Sequence, residues 1–169
     1  MDARRESDPV KNRTTSERKS ERELVVTRTV NGPARLVFEA WTKPELFRQW
    51  WVPKSMGMTL LSCEMDVRVG GRYRLEFAHG DSRAAFFGTY REVTPHSRLV
   101  WTNEESDEGS VTTVTFAEKG GKTLLVMHEL YPSKEALDAA GTGAADMMSE
   151  TFEQLDELLV ALGASLGLS

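Results

Sequence analysis

Hydrophobic residues are nearly absent from the first 22 positions and then follow a regular pattern from Leu24 onward. Residues 24–30 are short, apolar and β-branched and are followed by Asn31-Gly32-Pro33, which predicts a strand that ends in a turn. Residues 1–22 cannot bury enough apolar surface to offset the entropy lost on ordering. They are therefore predicted to be a flexible charged tail.

Two short helices are predicted after this strand. Apolar residues from Leu36 to Trp41 recur at helical spacing and predict the first helix. Pro44 ends it, because the residue before a proline is driven out of the helical region, and it suits the first turn of a second helix. That second helix is predicted to end before Pro53.

Between residues 58 and 131 the hydrophobic period changes from helical spacing to alternation, which predicts strands. Turn-forming pairs such as Gly70-Gly71 and Gly120-Gly121 separate them at short intervals, and this favours antiparallel hairpins over helical crossovers. The predicted strands are 58–68, 72–79, 84–94, 97–104, 110–118 and 122–131.

The end of the chain has the clearest helical pattern. Its apolar positions step by four, three, four and three residues and form one stripe. Gly163 is predicted to close this helix and residues 164–169 to form a tail. The stripe consists of Met148, Phe152, Leu155, Leu159 and Leu162, whereas Glu150, Glu153, Asp156 and Glu157 are predicted to lie off it.

The strands alternate as expected for a sheet with one covered face. The order of elements predicts an α+β fold over residues 23–163, in which a curved seven-stranded antiparallel sheet wraps around the C-terminal helix in the order β-α-α-β6-α. The apolar sets predicted to face that helix include Leu61, Cys63, Met65 and Val67 in one strand and Tyr73, Leu75 and Phe77 in the next.

The strand predicted at 122–131 departs from this alternation, because both of its faces carry apolar residues. Leu125 and Met127 are predicted to face the helix. Leu124 and Val126 then lie on the outer face, where an apolar strip could mark a homodimer interface.

Composition and charge exclude several classes of partner. A net charge of −5 and a pI near 5.3 argue against nucleic acid and against an anionic membrane surface. No apolar run approaches the roughly 18 residues that a spanning helix needs, and Arg4 and Arg5 precede no apolar stretch of the kind found in signal peptides. Cys63 is the only cysteine, which fits a reducing compartment, so a cytoplasmic protein is expected.

The residues of common catalytic and metal sites are too scattered to predict either kind of site. Cys63 is expected in the core, and His79 and His96 lie near different turns, so neither a nucleophilic triad nor a zinc site is predicted. Gly70-Gly71 is best interpreted as a hairpin turn and not as a phosphate-binding loop. No cofactor and no metal are expected.

Glu129 is the one candidate for acid–base chemistry. If Leu125 and Met127 face the helix, the period of two sends Glu129 inward as well. A carboxyl group beside an apolar cavity could anchor a ligand or transfer a proton. The alternative interpretation is that the strand ends there and Glu129 is solvated.

Five segments resemble bacterial proteins similar to the C-terminal domain of the heat shock protein 90 ATPase activator. They are FEAWTKPELFRQWWVP, EMDVRVGGRYRLEF, GTYREVTPHSRLVWTNE, VTTVTFAEKGGKTLLVMHELYPSKEA and ETFEQLDELL. The resemblance covers about residues 23–162. It implies the START-like, helix-grip superfamily (SRPBCC), which also holds polyketide cyclases and plant Bet v-type allergens. It implies a cavity between sheet and helix, and it does not imply one function.

A residual apolar cavity is also expected because a single helix cannot fill a strongly curved sheet. Methionine and tryptophan suit its lining, since methionine adapts its shape and tryptophan offers one donor. The candidate ligand-binding residues are Trp41, Trp50, Trp51, Met65, Tyr73, Phe86, Tyr90, Trp101, Met127, Glu129, Met148 and Phe152.

Three functions follow from these features, in descending order of support. The first is binding of a small apolar or aromatic molecule in the cavity. The second is a cyclase- or hydrolase-type enzyme that uses Glu129 or Tyr90 as its acid–base group. The third is a chaperone-partner role, which only the resemblance suggests.

Overall fold

The computed structural model describes residues 14–104, 109–140 and 143–165, and it confirms an α+β fold. One antiparallel sheet and a long C-terminal helix dominate it, as predicted. The strands are β1 Thr15–Arg18, β2 Glu23–Val30, β3 Thr59–Met65, β4 Arg72–His79, β5 Ser82–Thr94, β6 Arg98–Thr102, β7 Val111–Lys119 and β8 Lys122–Leu130. The helices are α1 Ala34–Thr42, α2 Pro44–Phe47, α3 Lys134–Ala140 and α4 Gly143–Ser165, and a 3₁₀ turn covers Lys54–Met56.

The sheet has eight strands in the order β1-β2-β8-β7-β6-β5-β4-β3, so the predicted number of seven is wrong by one. The additional strand lies in the segment predicted to be a flexible tail. β1 pairs antiparallel with β2, from Thr15 opposite Thr27 to Arg18 opposite Leu24, and all four of its side chains are exposed. A strand held only by backbone hydrogen bonds leaves no hydrophobic pattern in the sequence. Residues 1–13 and 166–169, also predicted to be tails, lie outside the described residues.

The two helices after β2 form for the predicted reasons. α1 starts after Pro33, and a carboxylate from β7 stabilises its start, since the Ala34 N–H donates to Glu118 Oε1 at 2.9 Å. Lys43, before Pro44, has extended dihedral angles (φ −98°, ψ 120°) and separates α1 from α2. α1 buries Trp41 against the sheet and α4.

α4 packs its predicted stripe onto the inner face of the sheet. Phe152, Leu155 and Leu159 are at most 1% exposed, and the helix continues past Gly163 to Ser165, so the predicted end at Gly163 is wrong. None of the helices in the described ranges has the length and apolar content that crossing a bilayer requires.

Asp156 does not lie on the solvent face of α4 as predicted. It is 7% exposed and pairs with Arg28 of β2, which is 4% exposed, through Arg28 Nε and Nη2 at 2.8 and 2.7 Å from Asp156 Oδ2. The second carboxylate oxygen accepts the Asn31 N–H at 2.7 Å. A buried charge needs a partner and hydrogen bonds, and here both come from the end of β2.

β3 departs from the predicted alternation near its start. A bulge between Leu60 and Ser62 shifts the register, so that Leu60 lies opposite Phe77 and Leu61 is 41% exposed. The prediction that Leu61 faces the helix is therefore wrong, and Leu60 takes its place. Cys63 and Met65 keep their predicted face, opposite Leu75 and Tyr73.

Candidate ligand-binding cavity

A cavity of about 220 Å³ lies between the inner face of β3–β6 and the first turns of α4. Helices α1 and α2 and the segment 51–58 close it from the side. Among the described residues, its lining contains no charged side chain. The lining consists of Trp41, Phe47, Trp51, Val52, Pro53, Met58, Met65, Tyr73, Leu75, Phe77, Phe86, Tyr90, Trp101, Asn103, Met148 and Thr151.

Trp41 is the centre of the aromatic wall of this cavity. Its ring is 4.8 Å from Trp50, 5.8 Å from Trp51 and 5.9 Å from Trp101, measured between ring centroids. Phe47 stacks on Trp51 at 4.8 Å. Aromatic pairs at such distances stabilise one another beyond the area that they bury, so this wall is a rigid apolar surface.

The opposite wall comes from the twisted hairpin of β4 and β5. Tyr73 lies opposite Gly88, where a Cβ would stand 1.8 Å from the Thr102 carbonyl oxygen and 2.9 Å from the Tyr73 ring. Only glycine allows this close approach. The Tyr73 hydroxyl can therefore reach across β5 to the Thr102 carbonyl at 2.9 Å and Asn103 Oδ1 at 3.0 Å.

Asn103 connects this wall to Glu129. Its Nδ2 donates to Thr112 Oγ1 at 3.0 Å and to Ser110 Oγ at 2.9 Å. Thr112 Oγ1 donates to Glu129 Oε1 at 3.0 Å. Glu129 does share the inner face of β8, as predicted, since it lies opposite the buried Leu24 and Thr112, but it reaches the cavity only through these neutral groups.

Two polar groups of the lining have no hydrogen-bond partner among the described residues. Tyr90 is 4% exposed, its hydroxyl makes no such bond, and burial raises the pKa of that hydroxyl well above its ordinary value of 10.0. Trp41 Nε1 is the only unpartnered side-chain nitrogen or oxygen that is buried in the described part of the chain. Both groups are donors, and both rings are near Trp101, at 6.4 and 5.9 Å.

Polar side chains of α4 hold the segment that covers the cavity. Gln154 Nε2 donates to the Trp50 and Val52 carbonyls at 3.0 and 2.8 Å, and Gln154 Oε1 accepts the Lys54 N–H at 2.9 Å. One turn earlier, Glu150 accepts from the Ser55 N–H at 3.0 Å and from the Ser55 hydroxyl. The wall formed by residues 51–58 is thus fastened by hydrogen bonds.

The structure places most of the predicted ligand-binding side chains together. Phe86 lies at the rim and is 40% exposed. That these side chains bind a ligand stays a prediction. Those that line the cavity are Trp41, Trp51, Met65, Tyr73, Phe86, Tyr90, Trp101 and Met148.

The four other predicted residues lie elsewhere. Trp50, Met127 and Phe152 belong to the packed core, at most 2% exposed, and Trp50 Nε1 donates to the Ala40 carbonyl at 3.0 Å. Glu129 lies behind Thr112, as described above. The periodicity of the chain indicates which side chains face inward, but it does not separate those that fill space from those that border it.

Sequence reasoning missed Asn103 and Thr151. Asn103 follows the last residue of β6 in what reads as an ordinary polar loop, and Thr151 lies beside the apolar stripe of α4. A signal existed only for Thr151, since it is adjacent to Phe152 on a helix whose packed face was evident. Asn103 acquires its place from the register of β6 and β7, which no local pattern shows.

Other reactive groups do not converge on the cavity. Burial raises the pKa of the Cys63 thiol, although Arg48 opposes this shift, and a raised pKa disfavours the nucleophilic thiolate. Asp66, Arg68, Arg74 and Glu76 form exposed ion pairs on the outer face. Within the described ranges, no group of three or more histidine, cysteine or acidic side chains is arranged to hold a metal ion.

The outer face of β8 carries the apolar residues predicted for a homodimer. Leu124 is 42% exposed and Val126 is half-buried. His128 on the same face is 2.8 Å from Glu23, which lowers the pKa of that carboxyl. The dimer itself stays a prediction.

The fold and its cavity define a helix-grip protein with an apolar, largely aromatic interior. The chain belongs to the family described as activator of Hsp90 ATPase homolog 1-like protein, whose model matches residues 31–160. This confirms the family that the sequence motifs suggested. No curated protein matches the chain.

Solved structures with the same fold agree with this assignment. A Rhodobacter sphaeroides protein has a TM-score of 0.81 at 24% identity, over 88% of this chain and 99% of its own. A Nitrosomonas europaea protein has a TM-score of 0.78 at 23% identity, over 87% and 99%. An AHSA1-like protein from Aeromonas hydrophila has a TM-score of 0.60 at 22% identity, over 76% and 92%. Identities this low show a shared fold.

Proposed function

We propose that this protein binds a small apolar or aromatic molecule in the cavity between β3–β6 and α4. The observation that carries the proposal is the lining itself, which combines aromatic and methionine side chains with a few polar groups and, among the described residues, no charge. Concave, mainly apolar sites with a small number of placed polar groups are typical of small-molecule binding.

The volume limits the size of the ligand. An apolar cavity of about 150 Å³ admits benzene. The present cavity, at about 220 Å³, has room for one aromatic ring with a substituent or for two fused rings. The flexible side chains of Met58, Met65 and Met148 allow modest adjustment of that shape.

The position of Glu129 supports binding in preference to acid–base catalysis. Neutral hydroxyl and amide groups separate its carboxyl group from the cavity. Its role in this proposal is to fix Thr112, and through Asn103 the Tyr73 hydroxyl. The chaperone role in the family's description and the predicted homodimer have no comparable set of contacts in the described residues, and both rank below ligand binding.

Thermal unfolding in the presence of naphthalene tests the proposal. A ligand at ten times its Kd stabilises the folded state by about 1.4 kcal/mol, which raises Tm by roughly 3–5 °C in a chain of this size. Val52→Trp should abolish the shift, because Val52 borders the cavity from a loop and a larger side chain there can occupy the space. Val160→Trp is the matched control, since Val160 is 57% exposed on α4. No shift with naphthalene, or an equal shift in both variants, would refute cavity binding.

A further inference from the structure

We infer that the molecule taken up by this cavity is uncharged and carries a hydrogen-bond acceptor oxygen, which receives the Tyr90 hydroxyl and the Trp41 indole N–H. The inference rests on the proposed cavity-binding function and deepens it. It concerns the chemical class of the ligand.

The first observation is that the two unpartnered polar groups of the lining are both donors. The Tyr90 hydroxyl has no hydrogen bond with any described residue, and neither has Trp41 Nε1. Tyr90 and Trp41 are 4% and 1% exposed, so bulk water does not easily replace the missing partner. Buried polar groups that lack a partner carry a free-energy cost, and an acceptor atom in the cavity would remove it.

The second observation is that the remaining polar groups of the lining are engaged. The Tyr73 hydroxyl lies 2.9 Å from the Thr102 carbonyl and 3.0 Å from Asn103 Oδ1. The Asn103 amide donates to Ser110 and Thr112, and the Thr151 hydroxyl lies 3.5 Å from the Trp51 carbonyl. The demand for a partner is therefore concentrated at Tyr90 and Trp41.

The two donors belong to the same part of the cavity. The Tyr90 and Trp41 rings are 6.4 and 5.9 Å from the ring of Trp101, which lies between β5 and α1. A ligand ring that packs on Trp101 therefore presents its substituent near both donors. A carbonyl oxygen with its two lone pairs can accept both hydrogen bonds.

The absence of charge in the described lining sets the charge of the ligand. A carboxylate would be taken out of water into a space where no lysine, arginine or histidine of the described residues faces it, which is strongly unfavourable. Burial also raises the pKa of Tyr90, so its hydroxyl stays protonated and remains a donor at neutral pH. An aryl ketone or aldehyde of one or two rings fits these conditions.

Three probes of similar shape test the inference: acetophenone, the hydrocarbon α-methylstyrene, and benzoate. Met58, Met65 and Met148 line the cavity, so titrations followed by the ¹³C-methyl signals of methionine report binding there even when affinity is low. Acetophenone should bind more tightly than benzoate by about tenfold or more. Tyr90→Phe should weaken acetophenone about tenfold, the usual effect of one buried hydrogen bond, and should leave α-methylstyrene within about twofold.

The comparison of the two neutral probes separates hydrogen bonding from packing. Tyr131→Phe is the matched control, because Tyr131 is a half-buried tyrosine outside the cavity and its loss should change neither affinity. Equal weakening of acetophenone and α-methylstyrene by Tyr90→Phe, or tightest binding of benzoate, would overturn the inference and leave the proposed function intact. Failure of all three probes to bind the wild-type protein would overturn both.

Discussion

The two halves of α4 meet the sheet in different ways. In the C-terminal half, Leu155 and Leu159 are at most 1% exposed, and the buried Asp156–Arg28 pair joins the helix to β2. In the N-terminal half, Met148 and Thr151 border a cavity of about 220 Å³. One helix therefore closes a packed core at one end and an unfilled space at the other.

The difference shows how a small domain can keep a cavity without losing its fold. Native interiors are normally close-packed, so empty volume has to be compensated by order elsewhere. Here the packed half fixes the position of α4, and the hydrogen bonds of Gln154 and Glu150 hold the covering segment over the cavity. The predictions below test whether stability belongs to the first half and binding to the second.

Removing one charge of the buried pair should have the largest effect. Asp156→Asn leaves the Arg28 guanidinium buried without its counter-charge, and we expect a loss of about 3–5 kcal/mol in the free energy of unfolding. Urea denaturation followed by circular dichroism measures it. Glu157→Gln, an exposed acid on the same helix, should change stability by no more than about 0.5 kcal/mol. A loss below 1 kcal/mol in Asp156→Asn would show that the pair does not anchor the helix.

Truncations in the two halves of α4 compare packing directly. Leu159→Ala, in the packed half, should cost about 3 kcal/mol, within the usual range for a buried leucine. Met148→Ala, beside the cavity, should cost only about 1 kcal/mol, because part of its surface already faces empty space. Equal losses by chemical denaturation would mean that the cavity half is as tightly packed as the other.

The covering segment provides the next test. Gln154→Leu leaves the Trp50 and Val52 carbonyls and the Lys54 N–H without their partner, and we expect a loss of about 2 kcal/mol. Hydrogen exchange at the Lys54 amide should accelerate, and ligand release should become faster.

A second glutamine serves as the control for that variant. Gln49 also donates to a backbone carbonyl, that of Glu45 at 2.8 Å, but at an exposed site. Gln49→Leu should leave exchange at Lys54 unchanged. If Gln154→Leu also leaves it unchanged, the hydrogen bonds do not hold the segment in place.

The sheet and the C-terminal helix were predictable because each has one buried face. Alternation at Tyr73, Leu75 and Phe77 and the stripe from Met148 to Leu162 translate directly into inward positions. β1 could not be found in this way, since its side chains are exposed and its contacts are backbone hydrogen bonds. Leu61 was assigned to the wrong face because a bulge is a change of register that the side chains do not announce.

The site was less predictable than the fold for two reasons. Asp156 reads as one more acid on a charged helix face, and only the position of Arg28 across the core makes it a buried partner. Trp50 and Trp51 are adjacent and chemically identical, yet one fills the core and the other borders the cavity. Which inward residues surround empty space depends on three-dimensional packing, and the sequence carries no local signal for it.

The smallest expected effect concerns pH and the Glu150–Ser55 contact. Hydrogen bonds from the Ser55 side chain and backbone lower the pKa of Glu150 from its ordinary value of 4.5. The stability that this contact contributes is therefore complete above about pH 4.5 and is lost as pH falls through the lowered pKa. Glu150→Gln should lower Tm slightly at pH 7, and its difference from the wild-type protein should shrink as the pH falls below 4.5. The same comparison in a Ser55→Ala background isolates the contact, because the pH-dependent difference should vanish there. A difference that persists in that background would assign it to groups other than Ser55, and the covering segment would then depend on Gln154 alone.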